Sequence, residues 1–316
     1  MFKKLFLLLI ALLVLVSCGS PAEVETPGET TPEPSDVAIN VYTRDSSSGT
    51  REAFQYGIGL DSDGGLTSAA VETSGNGDMA TKVGVDANGI GYVSLTTDFT
   101  ANNLKTVGFE GVEPTIDNVL DQSYTLSRPF AYTTRAADDF ENDTLKNVVT
   151  AFLDFIHNSK EGLEAVESKG GIVDLSDAKD WSELKANHPV LAGDLSGVTI
   201  RTAGSTSVVN TLTAALEAFE ADTGVKFVMN HTGSGDGYKR VLGEEKDSAN
   251  GADIGFASRN FKTEEDTSAA LATDYYCLDA VVVVVSQDNT AGVTSLTADQ
   301  LVSIFGGEFK NWGDIK

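Results

Sequence analysis

At 316 residues and 41% hydrophobic content, the chain is long enough to form two lobes with separate cores. A formal net charge of −25 argues against nucleic acid and anionic membrane surfaces as partners. It leaves room for a small anion, whose binding is decided by local donors. From the N-terminus, Lys3 and Lys4 precede an apolar run from Leu5 to Val16 that is too short to span a bilayer comfortably, so residues 1–17 read as a secretory signal. From Gly19 to about Asp36 the chain is Pro, Glu, Thr and Ser with few apolar residues, which predicts a disordered tether over 18–36. A strand-like run (Val37, Ile39, Val41) then enters Arg44-Asp45-Ser46-Ser47-Ser48-Gly49-Thr50, and an apolar-periodic helix leaves it near Thr50. A guanidinium, hydroxyls and the free N–H groups of a helix start meet at that corner, and each favours an anion.

Further along, residues 79–85 read as helix, Gly89 to Leu95 as a buried strand, Leu104 to Val107 as a short strand and Tyr124 to Tyr132 as an alternating one. Leu145, Val148, Val149, Phe152, Phe155 and Ile156 share one face of a predicted helix, followed by another from Lys160 to Ser168. Residues 174–195 lack a period and read as a connector. A second strand-to-helix corner follows: Val198 to Arg201 leads into Gly204-Ser205-Thr206-Ser207, and a helix carries Leu212, Leu216 and Phe219 onward to Gly224. Val225 to Met229 is the next strand, with Gly233-Ser234-Gly235 after it. Asp253 precedes the apolar run from Ile254, and Ala280 to Val285 reads as a buried β-strand. Strands thus alternate with helices, as in α/β folds whose ligands sit at the strand ends. His157, His188 and His231 share no metal-ligand spacing. Cys277 sits in an apolar setting as core, and nothing pairs a general acid with a base, so neither cofactor, metal nor enzymatic activity is expected.

Leu15-Val16-Ser17-Cys18 resembles a bacterial lipobox, which implies cleavage before Cys18 and a lipid on its sulfur. The runs Arg44…Ser48-Gly49-Thr50, Ile90-Gly91-Tyr92-Val93-Ser94, Gly204-Ser205-Thr206-Ser207, Gly233-Ser234-Gly235, Ala252-Asp253-Ile254-Gly255…Ser258-Arg259 and Ile304-Phe305-Gly306-Gly307…Asn311-Trp312 are together similar to the substrate-binding proteins of bacterial phosphate ABC importers. The resemblance implies a two-lobe α/β periplasmic-binding-protein-like fold of type II, with a hinge and an interlobe ligand cleft. Relative to the family pattern as read here, the Arg…Ser-Gly-Thr half leads. That implies either a circular permutation, with residues 174–195 joining the old ends, or half-domains swapped between chains. On the permuted map one lobe holds 37–100 plus 277–316 and the other 101–276.

The same resemblance implies a phosphate site of Arg44, Ser48, Gly49 and Thr50 from one lobe and Thr206, Ser207, Ser234 and Asp253 from the other. Asp253 would accept the hydrogen that phosphate carries and sulfate lacks, a mismatch of the kind that can discriminate by a factor on the order of 10⁴. Two departures touch the arginine's pose: Ser46 stands where the family often has an acid, and Ser47 where it has glycine. Arg128 and Arg259 are left outside the binding set. The expected protein is a lipid-anchored monomer on the outer face of the cell membrane that hands inorganic phosphate to a permease. A phosphate sensor and a receptor for another tetrahedral oxyanion are the alternatives.

Overall fold

The computed structural model describes residues 36–61 and 64–315. The expected signal segment 1–17, Cys18 and all but the last residue of the tether lie outside the described residues.

The chain opens with β1 (Asn40–Arg44), α1 (Gly49–Ile58), β2 (Val71–Thr73), α2 (Asn76–Gly84) and β3 (Gly89–Ser94), and β1 pairs in parallel with both β2 and β3. Then come β4 (Leu104–Phe109), the short α3 (Ile116–Leu120) and β5 (Ser127–Thr134). The second half begins with α4 (Asp143–Asn158), α5 (Lys160–Glu167) and α6 (Trp181–Leu184), followed by β6 (Thr199–Gly204), α7 (Val209–Thr223), β7 (Lys226–His231), α8 (Ser234–Lys239) and β8 (Ile254–Ala257). β6 runs parallel to β7 and β8. The chain finishes with β9 (Thr273–Ser286), β10 (Ser295–Leu296) and α9 (Ala298–Gly306).

The ten strands form one sheet in the order β2-β1-β3-β9-β5-β8-β6-β7, with β4 on β9 and β10 on β4. β9 is the member that makes it continuous. Its valine-rich half, Val281 to Val285, pairs antiparallel with β3, while residues 273–280 pair antiparallel with β5. Five consecutive β-branched valines, all buried, suit a strand covered on both faces.

Two hydrophobic cores hang on this sheet. One gathers Phe54, Met79, Ile90, Tyr92, Val281 to Val285, Leu301 and Phe305, with Phe54 stacked on Tyr92 at 4.1 Å. The other gathers Phe130, Phe152, Phe155, Ile200, Leu212, Phe219 and Phe256. Leu104, Val107, Phe109, Val119, Tyr124 and Leu126 belong to the first core, so the lobes divide near residue 127 and not at residue 100. The reason is pairing: β4 docks on the valine end of β9, which carries the whole 104–126 segment into the first lobe. The connector is more structured than its sequence implies. Trp181 is buried against Phe155 and Phe219 and donates through Nε1 to Asp222. The two ends of the described fold meet: Trp312 N donates to the Val37 carbonyl at 2.9 Å and Ile39 N to the Lys310 carbonyl at 2.8 Å.

The crossing between the lobes is pinned by a buried ion pair. Arg128 Nη2 lies 2.8 Å from Asp279 Oδ2, and Asp279 Oδ1 accepts from Ser94 Oγ at 2.8 Å and from Leu95 N at 3.1 Å. β5, β9 and the end of β3 are therefore tied at one carboxylate.

Candidate anion-binding site

β1 ends at Arg44, and the chain turns through Asp45 to Ser47 into α1. Ser48 caps α1 by accepting from Arg51 N at 3.3 Å, as a hydroxyl at an N-cap does. On the other lobe β6 ends at Gly204, and Ser205 accepts from Ser207 N at 3.1 Å to start the next helical turn. Both corners leave helix-start N–H groups without intrahelical partners.

These corners meet. Thr50 Oγ1 and Ser207 Oγ, 157 positions apart in sequence, are hydrogen-bonded at 2.8 Å, and Asn76 N at the start of α2 donates to Thr206 Oγ1 at 3.2 Å. Gly235 N donates to the Ser47 carbonyl at 3.3 Å. Gly49 faces Ser234 so closely that a Cβ there would lie 2.2 Å from the Ser234 hydroxyl, so only glycine allows this approach. Ser234 Oγ is 3.3 Å from Ser258 Oγ, which accepts from Ser205 Oγ at 2.9 Å. The result is a buried cluster of hydroxyls from both lobes: Ser48, Thr50, Ser205, Ser207, Ser234 and Ser258.

Arg44 is buried at the end of β1, four residues before Ser48. Its side chain is 1% exposed, and among the described residues its nearest carboxylate is Asp45 at 3.4 Å and its Nε has no hydrogen-bond partner. Burial pulls the guanidinium below its ordinary value, opposed chiefly by Asp45. A buried cation so poorly matched within the protein fits an anion as its counter-charge. Asp45 is largely turned to its own loop, where it accepts from Ser47 N at 2.9 Å and from the Ser47 hydroxyl. Arg51 Nη1 donates to the Arg44 carbonyl at 3.0 Å and holds the corner. Behind the second corner, His231 Nδ1 lies 2.8 Å from the Ser205 carbonyl and Nε2 2.9 Å from Thr202 Oγ1. Nδ1 must therefore carry the hydrogen, and burial pushes the ring pKa down to about 4, which keeps it neutral.

Beside the cluster, a cavity of about 1000 Å³ opens between Ser46 to Leu60 of one lobe and Arg259 to Lys262 of the other, backed by residues 125–129.

Residues 190–315 match the model of the PBP superfamily domain. Over 311 residues the chain is 32% identical to phosphate-binding protein PstS 2 of Streptococcus pneumoniae serotype 4, covering 96% of this chain and 94% of that protein. The chain belongs to the PstS family of phosphate-binding proteins. A second PstS 2, from Streptococcus agalactiae serotype V, is 28% identical over 310 residues, with 96% and 93% of the two chains covered. The crystal structure of a phosphate ABC transporter, phosphate-binding protein from S. pneumoniae superposes with a TM-score of 0.63 at 28% identity, covering 88% of this chain and all of that one.

These PstS relatives align from end to end in a single order, so with respect to them the halves of this chain are not rearranged. Of the residues expected at the phosphate site, Ser48, Gly49, Thr50, Thr206, Ser207 and Ser234 come together at the two corners, and Arg44 lies buried on the strand end that leads into the first. Asp253 does not join them. It precedes β8, whereas the hydroxyl cluster lies beyond its other end at Ser258, five residues and about 16 Å along the strand. The Asp253 carboxylate accepts from Arg201 N at 2.7 Å, and burial raises its pKa above the usual range. Ser205 and Ser258 join the cluster although the sequence reading left them out. Both lie inside the quoted motifs, and Ser258, as the first residue past a parallel strand, is where an α/β fold puts its ligands.

Proposed function

We propose that this chain is the extracytoplasmic phosphate receptor of a bacterial ABC importer, enclosing inorganic phosphate between its lobes and delivering it to the membrane permease. The supporting observation is the meeting of Thr50 and Ser207 at 2.8 Å, in a family whose named members bind phosphate. The ligand set in this reading is Arg44, Ser48, Gly49, Thr50, Thr206, Ser207 and Ser234, extended by Ser205 and Ser258. Asp253 is not part of it. The guanidinium and helix-start N–H groups supply positive potential, and hydroxyls both donate to phosphate oxygens and accept the hydrogen that phosphate retains near neutral pH. Sulfate offers no such hydrogen, so a hydroxyl whose own hydrogen is already committed, as that of Ser205 is to Ser258 Oγ, meets a bare oxygen instead. Cleavage before Cys18 and a lipid on its sulfur hold the receptor at the outer face as a monomer.

Titration calorimetry with phosphate and sulfate at pH 7 tests this reading. Phosphate is expected to bind one to one at micromolar affinity or tighter, and sulfate to give no heat. Arg44→Gln is expected to weaken phosphate by roughly ten- to a hundredfold, the worth of a charge-assisted hydrogen bond in a buried site. Equal affinity for both anions would overturn the phosphate assignment.

A further inference from the structure

We propose that Glu52 is an ionic closure latch that sets how long the cleft stays shut on its ligand, an inference that rests on the phosphate reading above. Glu52 stands in the first turn of α1, two residues past Thr50, on the first lobe. Its carboxylate reaches across the cleft to the second: Oε2 lies 2.9 Å from Arg259 Nε and 3.2 Å from Lys262 Nζ. Arg259 is itself fixed from its own lobe by Glu265, at 2.7 and 2.9 Å on two separate guanidinium nitrogens. The guanidinium is 9% exposed, so it is a rigid and largely desolvated anchor, not a loose surface cation.

The position of the latch gives it leverage on the anion site. On one side it is joined through a single helical turn to Ser48, Gly49 and Thr50. On the other, Arg259 follows Ser258, whose backbone N donates to Ser234 Oγ at 3.0 Å. Drawing Glu52 onto Arg259 therefore draws the α1 corner onto the Ser205–Ser234–Ser258 hydroxyls, and separating the lobes breaks the ion pairs and the cluster together. On the opposite flank of the cleft the described residues meet through neutral contacts, such as Asn210 Nδ2 to the Thr96 carbonyl at 3.1 Å. Charge-dependent closure among the described residues is thus concentrated at Glu52.

The sign of one measurement separates the latch from a plain field effect. Glu52 is a negative charge near an anion site at a helix start, so losing it would by itself favour phosphate. A latch demands the reverse in the dissociation rate. Stopped-flow release of phosphate from the full chain at low ionic strength is expected to be roughly three- to tenfold faster for Glu52→Gln than for the wild type, the range of a partly exposed ion pair. Rising salt should bring the wild-type rate toward that of the variant, because screening weakens the same pairs. Small-angle scattering without phosphate should find the variant more open on average. An unchanged or slower release rate would overturn the latch. If the wild type binds no phosphate, the ligand reading fails, and the scattering comparison alone decides whether Glu52 holds the lobes together.

Discussion

Asp253 marks the limit of arguing chemistry from a motif. Its residue type suits a proton acceptor, but its place on the strand does not. In a βα unit the residue before a parallel strand lies at the edge opposite the ligand, and the residue after it lies at the ligand edge. Read that way, the sequence already favoured Ser258 over Asp253. Arg44, Ser48 to Thr50 and Thr206-Ser207 were legible because each sits at the exit of a strand with a helix to follow. The Glu52–Arg259 contact was not legible, since pairs that cross between lobes leave no local pattern. The prediction at position 253 follows from its surroundings. Asp253→Asn should leave the phosphate-over-sulfate preference intact in calorimetry. The Asp253 carboxylate titrates above its unfolded value because burial disfavours its charge. The native state therefore binds that proton more readily than the unfolded chain, and stability contributed there falls as pH rises through the window above the ordinary value of 3.8. At pH 7 the ionised form is a cost, so the Asn variant should melt no lower than the wild type. A loss of selectivity would return Asp253 to the site.

At the scale of elements, β9 carries the architecture. Its valine half announced itself by β-branching, whereas Thr273 to Tyr275 are exposed and polar enough to hide the first part of the strand. The division between lobes was missed for a related reason: β4 is a short strand whose partner lies far away in sequence, and only the pairing with β9 assigns it. Where β5 and β9 cross, Arg128 and Asp279 are both buried. Burial lowers the arginine and raises the acid despite their contact. Such a pair is expensive to break and cheap to replace whole. Arg128→Met alone should destabilise the fold by about 3–5 kcal/mol in denaturant unfolding, since among the described residues it leaves the buried carboxylate with neutral donors alone: Ser94 Oγ and the backbone N–H groups of Leu95 and Ala280. Arg128→Met with Asp279→Leu should recover most of that loss. Equal damage from the single and double variants would mean that the pair serves as a hinge geometry that apolar packing cannot reproduce.

The whole molecule is strongly acidic yet is read as a receptor for an anion, and the two facts are compatible because they act over different distances. Exposed charges are screened within about 10 Å at ordinary ionic strength, while in the proposed site Arg44 and the helix starts act at contact distance. The long-range field slows approach and the local donors set the residence time, so affinity here rests on closure. A ligand that binds only the folded state and touches both lobes stabilises them together. At one hundred times its dissociation constant it adds about 2.7 kcal/mol. For a domain of this size that corresponds to a rise in melting temperature of roughly 4–6 °C. Thermal melting with phosphate should show that rise in a single transition, and equimolar sulfate should show none. If phosphate raised one of two separate transitions only, the ligand would be held by a single lobe, and the convergence of the Thr50 and Ser207 corners would have to be explained by packing alone.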